Sequence, residues 1–328
     1  MTSVEDFIRE WRSPSEHVLL HTSGSTGTPK TFWAEKSRMR ASARMTCDFL
    51  GLHSGDNALL CLSTDYIAGK MMVVRALERG LNLLCVEPSN RPLEALQEQY
   101  PVLPAIHLAA MVPSQVFCSI DHPLLRQIQH IIIGGGAVSP ELEQTLRSFP
   151  NAVWSSYGMT ETLSHIALRR VSGAEAEEWY TPLPGVSVSL NSDGCLCIDA
   201  PALSPEPLIT NDIAQLSPSG SFRILGRRDN VIQSGGIKLQ IEVLEAELRP
   251  LLDSNDGKPL FCVTSRPSAK FGEEAVLLVV PELLPLASEI HHSYIKAVIP
   301  VTDIPLTATG KIDRARAKSL AATECGGL

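Results

Sequence analysis

The sequence has no block of lysines and arginines, no apolar run able to cross a bilayer, and no cysteine spacing suited to a metal. Each absence removes a class of function. With 28 Lys+Arg against 36 Asp+Glu, net charge −8, an extended nucleic-acid-binding surface is not expected. No segment approaches the ~20 apolar residues of a membrane-spanning helix. The opening "MTSVEDFIREWRS" is charged and amphipathic, unlike a secretory leader. Eight cysteines are scattered, and the closest pair is Cys195 and Cys197. That is neither a zinc spacing nor a disulfide framework, so reduced thiols in a cytoplasmic protein are expected. No internal repeat or low-complexity tract occurs. What remains is an ordinary globular composition, 44% hydrophobic and 20% charged over 328 residues, long enough for two domains.

Short apolar runs alternate with helix-like segments through the first two thirds. Residues 17–21, 57–63, 81–87, 130–136 and 151–158 read as strands. Helices are expected over 35–50, 69–79, 91–100 and from Ser139-Pro140, where serine caps and proline takes the first helical position. This alternation predicts an α/β layer with a mostly parallel sheet, with ligands beyond the carboxyl ends of its strands. Loops 22–30, 134–138 and 157–162 each follow a strand and are expected at one crevice. After about residue 180 the texture turns to β. A hairpin is predicted around Asn191-Ser192-Asp193-Gly194. From about 228 a smaller α+β unit follows, with helices near 241–251 and 312–321. The expected division is a large domain, 1–227, and a small one, 228–328.

Five stretches carry chemistry. "HTSGSTGTPK" (21–30) supplies glycines that turn backbone N–H groups inward, hydroxyl donors, and a lysine, which suits a polyphosphate. It is not a P-loop, because no Gly-Lys-Ser/Thr closes it. "YGMTET" (157–162) offers an aromatic ring, a hydroxyl and a hard carboxylate able to hold Mg²⁺. "LITNDIA" places Asp212 where a carboxylate could accept from both hydroxyls of a ribose. "GRRDNVIQSGGIKLQ" (226–240) and "PLTATGKIDR" (305–314) complete the set. Taken singly, each is equally an ordinary turn.

In this order and company the stretches resemble the adenylate-forming superfamily: acyl- and aryl-CoA synthetases, nonribosomal peptide adenylation domains and beetle luciferases. The resemblance runs from about residue 17 to about 316. It implies a truncated adenylate-forming large α/β domain and a mobile α+β lid. It also implies a reaction in which a carboxylate attacks the α-phosphorus of ATP and a thiol, usually CoA, then displaces AMP. On this resemblance Thr22, Ser23, Gly24, Ser25, Thr26, Gly27, Thr28 and Lys30 hold the departing pyrophosphate. Thr160 contacts the α-phosphate and Glu161 holds Mg²⁺. Tyr157 and Gly158 lie against adenine, with Gly134, Gly135 and Gly136 as another wall. Asp212 and Arg227 hold the ribose. Lys311 bridges carboxylate and α-phosphate, where two anions must be brought together. Asp229 is the hinge, and the loop with Gly235 and Gly236 is presented for thioester formation. Relatives carry a long region ahead of the phosphate loop. Here only 21 residues precede Thr22, so part of the usual large domain is expected to be absent.

For the acid, the family's acyl-site segment is replaced by Asp65-Tyr66-Ile67-Ala68-Gly69, which disfavours an amino acid. The run Ser164-His165-Ile166-Ala167-Leu168-Arg169 resembles short-form o-succinylbenzoate–CoA ligases of menaquinone biosynthesis. Such an acid has two carboxylates, one activated and one needing a partner. Tyr66, Lys70, His165 and Arg169 are the candidates. Rival readings are another acyl-CoA ligase, loading of a carrier-protein thiol, or a non-catalytic nucleotide-binding relative. The expected partners are a small-molecule acid, ATP and CoA, without nucleic acid or a membrane span.

Overall fold

The computed structural model describes residues 2–21, 31–100, 102–252, 259–307 and 311–323. The chain opens with helix α1 (Val4–Arg12), whose Ser3 cap accepts the Asp6 N–H and whose inner face buries Phe7 and Trp11. Strands β1 (His17–His21) and β2 (Thr31–Glu35) pair antiparallel as a sheet of their own. Helix α2 (Lys36–Leu50) follows and ends at Gly51, which is left-handed. The segment "TFWAE" therefore pairs back on "HVLLH" rather than leading straight into a helix. The 22–30 segment links two hairpin strands, not a parallel strand and its helix, and it lies outside the described residues.

Next come β3 (Asn57–Leu60), α3 (Ile67–Arg79), β4 (Asn82–Cys85), α4 (Pro92–Gln99), β5 (Leu108–Met111), α5 (Pro113–Cys118), β6 (His130–Ile133), α6 (Pro140–Leu146), β7 (Ala152–Gly158), β8 (His165–Arg170) and β9 (Thr181–Pro182). The strands lie in the order β4-β3-β5-β6-β7-β8-β9. They run parallel from β4 to β7, while β8 and β9 are antiparallel. Side-chain alternation sends Ala58, Leu60, Leu108 and Ile132 into a core shared with Phe7, Met39 and Met72. It sends Leu59, Ala109, Ile131 and Ile133 into a second core with Leu93, Leu96 and Leu146. Burial on both faces is why these strands read as unbroken apolar runs. Gly69 has a sequence reason as well. A Cβ there would overlap the Ser63 carbonyl, so only glycine lets α3 start this close to the chain leaving β3.

A four-stranded antiparallel sheet follows: β10 (Ser187–Leu190), β11 (Cys195–Asp199), β12 (Leu208–Leu216) and β13 (Phe222–Arg227). A short 3₁₀ turn over Arg228–Asn230 leads into the last sheet. That sheet contains β14 (Val231–Ser234), β15 (Ile237–Gln240), β16 (Phe261–Ser268), β17 (Gly272–Val279) and β18 (Ile295–Pro300), with α7 (Ile241–Leu252), α8 (Leu284–Ser288) and α9 (Arg314–Thr323). Its two apolar clusters draw only on residues from Ile232 onward. Gly235 and Gly236, both at positive φ (58° and 86°), form the two-residue turn of the β14–β15 hairpin, where residues with side chains would be strained.

Candidate active site

Tyr157 ends β7, and its hydroxyl donates to Asp212 Oδ2 at 2.5 Å. Asp212 sits opposite Arg227 in the β12–β13 ladder and accepts from its guanidinium at 3.2 Å. Arg227 also grips Asp229, at 2.9 and 2.8 Å. Burial, reinforced by the neighbouring Asp212 charge, pushes the Tyr157 phenol up, so it stays a donor at neutral pH. Its ring packs edge-on to Phe222, 5.1 Å between centroids, which holds it over Asp212. Lys311 has its side chain in the field of this group. Partial desolvation and the Arg227 charge lower its pKa, against the opposing pull of Asp212. One phenol, two carboxylates and one guanidinium thus meet at the ends of β7, β12 and β13, within the electrostatic reach of Lys311. The turn carrying Lys311 is held by a β-bridge between Leu306 and Ile312 and by Asp313 donating to the Pro305 carbonyl.

The glycine-rich segment after β6 lies beside this group. A Cβ on Gly134 would come 2.8 Å from Ser156 Oγ, and Gly135, at φ 79°, lies against Val112. Gly136 faces Pro113. From Gly158 the chain doubles back. A Cβ on Gly158 would land on the Ser164 carbonyl and His165 Cα. The 3₁₀ turn Thr160–Thr162 is tied by the Thr162 hydroxyl, which accepts from Met159 N–H at 3.0 Å. Leu163 then adopts φ 64°, the single non-glycine left-handed residue described. Strain of this kind costs about 1–3 kcal/mol and gathers at functional segments. Here it leaves Glu161 exposed and turns Ser164 and His165 inward. Glu161 fits a Mg²⁺ role. It is a hard oxygen donor, exposed on the turn. One carboxylate completed by phosphate oxygens is how Mg²⁺ is ordinarily held.

The residues expected to meet the acid are placed differently. Lys70 is buried, with its ammonium 4.7 Å from the Phe7 ring centroid. Arg169 makes two 2.8 Å bonds to the Glu143 carboxylate and covers Tyr180. Arg169 is already satisfied within the fold, which corrects the expectation that it awaits a substrate carboxylate, whereas Lys70 has only the face of the Phe7 ring among the described residues. His165 is buried and spends both ring nitrogens on protein, with Thr46 Oγ1 at 3.0 Å and Ser164 Oγ at 3.4 Å. Tyr66 is exposed at the start of α3, while neighbouring Asp65 accepts the Thr2 N–H at 2.7 Å.

The residue the sequence reading missed is Arg75. It is 2% exposed on α3 and donates to Ser164 Oγ at 2.6 Å and Thr46 Oγ1 at 3.4 Å. No carboxylate among the described residues pairs with it. Its Nε and the Oγ of Ser42, four residues before Thr46, are buried polar atoms without a partner among the described residues. Burial lowers its pKa to about 10, so it remains a cation at neutral pH. A buried guanidinium without a counter-charge is costly and invites an anion.

In the C-terminal unit Glu245 and Arg314 form a two-pronged ion pair at 2.6 and 2.7 Å, three residues beyond Lys311. Where the two units join, the Gln240 amide donates to the Arg227 carbonyl at 2.9 Å and packs so tightly on Gly226 that a Cβ there would overlap it.

The family model described as AMP-binding enzyme matches residues 8–197. A 2-succinylbenzoate–CoA ligase of Listeria monocytogenes is 24% identical over 345 residues, covering 95% of this chain and 71% of that protein. The crystal structure of an acyl-CoA synthetase (AMP-forming)/AMP-acid ligase II-like protein from Dyadobacter fermentans is 33% identical with a TM-score of 0.63, covering 96% of this chain and 92% of that one. The O-succinylbenzoate coenzyme A synthetase of Bacillus subtilis, solved with ATP and magnesium, shares the fold at 21% identity and a TM-score of 0.73, with 69% of its chain covered. From the family model's match over more than half of the sequence and the extent of these likenesses, it follows that the chain belongs to the AMP-binding enzyme family.

Proposed function

We propose that this protein is an AMP-forming acid–CoA ligase acting on an aromatic dicarboxylate, o-succinylbenzoate being the member of that class favoured by its relatives, in menaquinone biosynthesis. The observation that carries the substrate class is Arg75, a buried cation without an acidic partner beside the inward-turned Ser164. One carboxylate of the acid neutralises Arg75. The other is left toward the crevice for activation.

The chain's own groups account for the chemistry in this reading. Asp212 accepts from the ribose hydroxyls of ATP, and Tyr157 and the Gly134–Gly136 turn border the base. Thr160 donates to the α-phosphate. Lys311 offsets the repulsion between the attacking carboxylate and the phosphate, worth most in a water-poor site. Glu161 holds Mg²⁺, which supplies charge neutralisation on the phosphate oxygens. Residues 228–328 act as a lid about Asp229, bringing Lys311 in for adenylation and withdrawing it for thioester formation. The Gly235-Gly236 turn enters in the second pose. The thiol acceptor is CoA, and the setting is the cytoplasm, where ATP and CoA are available.

The test is ATP–pyrophosphate exchange and CoA thioester formation with o-succinylbenzoate and with its two monocarboxylate analogues. Exchange with the diacid, and a KM about 100-fold higher in Arg75→Leu, is expected. Equal use of diacid and monoacids by the wild-type protein would refute the substrate class. Exchange without CoA consumption would reassign the acceptor to a carrier thiol, and no exchange with any acid would end the enzyme reading.

A further inference from the structure

The side chains behind Arg75 form a connected chain of donors and acceptors. Thr46 Oγ1 donates its one hydrogen to the Ser42 carbonyl, one helical turn back, at 3.1 Å. With its hydrogen on that carbonyl it meets His165 Nε2, 3.0 Å away, as an acceptor, the arrangement in which Nε2 carries the proton. Nδ1 is then the bare nitrogen, free to accept from the Ser164 hydroxyl at 3.4 Å. With its hydrogen directed to Nδ1, Ser164 presents lone pairs to Arg75, whose N–H lies 2.6 Å away. Arg75 also reaches back to Thr46 at 3.4 Å, closing the circuit. A histidine held this way is neutral, consistent with its burial beside a guanidinium.

The circuit leaves two things over, Arg75 Nε and Ser42 Oγ, both buried and unpartnered. Arg75 Nη1 lies against Met72 Sδ at 3.8 Å, and buried donors such as Nε normally find a stronger partner. An unfilled donor next to a fixed one is what a bound anion requires. Backbone constraints converge on the same spot. Gly158 permits the chain to fold back, and Leu163 in the left-handed region delivers Ser164 and His165 to α2 and α3.

We propose that Thr46 and His165 are positioning residues for acid recognition: they fix the orientation of the Ser164 hydroxyl and the Arg75 guanidinium, so that the idle face of Arg75 is held ready for the second carboxylate. They set discrimination between dicarboxylic and monocarboxylic acids without touching the reacting atoms. This rests on the substrate class given above.

The test compares Thr46→Val, Thr46→Ser, His165→Leu and His165→Gln with Arg75→Leu, measuring KM and kcat for o-succinylbenzoate, for its monocarboxylate analogues and for ATP. Thr46→Val and His165→Leu are expected to raise KM for the diacid about tenfold, the loss of one charge-assisted contact. The effect is expected to concentrate in KM, with KM for ATP and for monoacids little changed. Thr46→Ser and His165→Gln, which restore an acceptor and an Nε2-like donor, are expected to recover most of it. Nitrogen NMR of the wild-type protein is expected to show His165 neutral and protonated on Nε2. Protonation on Nδ1 overturns the proposal even where a variant fails to fold. An equal rise in KM for diacid and monoacids, or a diacid KM within twofold of wild type in both disruptive variants, overturns it too. If Arg75→Leu itself fails to separate diacid from monoacid, the substrate class falls. If Arg75→Leu separates them and the Thr46 and His165 variants do not, only this proposal falls.

Discussion

Cutting the Glu245–Arg314 pair is expected to loosen the C-terminal unit and, with it, the turn that carries Lys311. Glu245 projects from α7 and Arg314 opens α9, 69 positions apart in sequence. Their two bonds of 2.6 and 2.7 Å are supplemented by Arg314 donating to the Val263 carbonyl and Val263 N–H donating to Glu245. In Arg314→Ala the Glu245 side chain, 9% exposed, keeps only the Val263 N–H. Breaking a fully buried pair costs about 3–5 kcal/mol. The Arg314 side chain is 27% exposed, so solvent screening reduces this to about 2–4 kcal/mol. The double variant Glu245→Ala/Arg314→Ala should lose less than the sum of the single losses, with a coupling of about 2–3 kcal/mol. Urea unfolding followed by far-UV circular dichroism measures it. Tryptophan fluorescence provides a contrast, because Trp11, Trp33, Trp154 and Trp179 all precede the C-terminal unit. A transition that moves in dichroism but not in fluorescence locates the loss in that unit. Coupling below about 0.5 kcal/mol, the usual additivity error, would refute the argument.

Gly158→Ala is expected to destabilise by about 2–4 kcal/mol, because the added methyl meets backbone that cannot move aside; an unchanged melting temperature would contradict it. Lys311→Ala is expected to lower the exchange rate about 100- to 1,000-fold while sparing thioester formation from supplied acyl-adenylate, and equal loss in both steps would remove its assigned role. Asp229→Pro, which fixes φ at the turn, is expected to harm thioester formation more than exchange, as half-reaction assays would show. His165 and His130 both have pKa values depressed below 6.5, chiefly by burial. The unfolded chain therefore binds protons first, and stability should fall as pH drops below about 6.5, by up to ~1.4 kcal/mol per unit for each histidine. His165→Gln should flatten part of that slope in denaturation curves taken between pH 7 and 5, and an unaltered slope would count against a neutral His165.

The parallel strands were legible because they are buried on both faces, so "NALL", "HIII" and "NAVWSSYG" stand out as apolar or β-branched runs. Others were not, β2 and β5 among them. "TFWAE" carries the exposed Trp33 and pairs only with its hairpin partner. "LAAM" is alanine-rich, with little intrinsic strand preference. At the site, turn chemistry marked Tyr157, Asp212 and Gly235-Gly236, because glycine, aromatic and acidic residues after strands are rare enough to notice. Arg75 was hidden in "MMVVRALER", where an arginine on a helix reads as solvated. The one available signal was its apolar company on both sides, Met71 to Val74 and Ala76, all buried. Arg169 misled for the opposite reason. A cation near a substrate segment looks free until its partner arrives from a distant element, here Glu143 on α6.

The junction at Gly226–Asn230 bears on timing. The strong contacts there, Asp212–Arg227 and Arg227–Asp229, lie on the near side of the turn or at the turn itself. The bond from Gln240 to the Arg227 carbonyl, which reaches across, joins two neutral groups. Such a bond is worth about 1 kcal/mol net, roughly a fivefold change in population. With the proposed lid turning about Asp229, the junction would act like a shear pin: its charged framework persists while this neutral bond and the packing of α7 on β13 yield. For a catalyst with two successive chemical steps, a nearly balanced joint of this kind keeps either arrangement from becoming a trap.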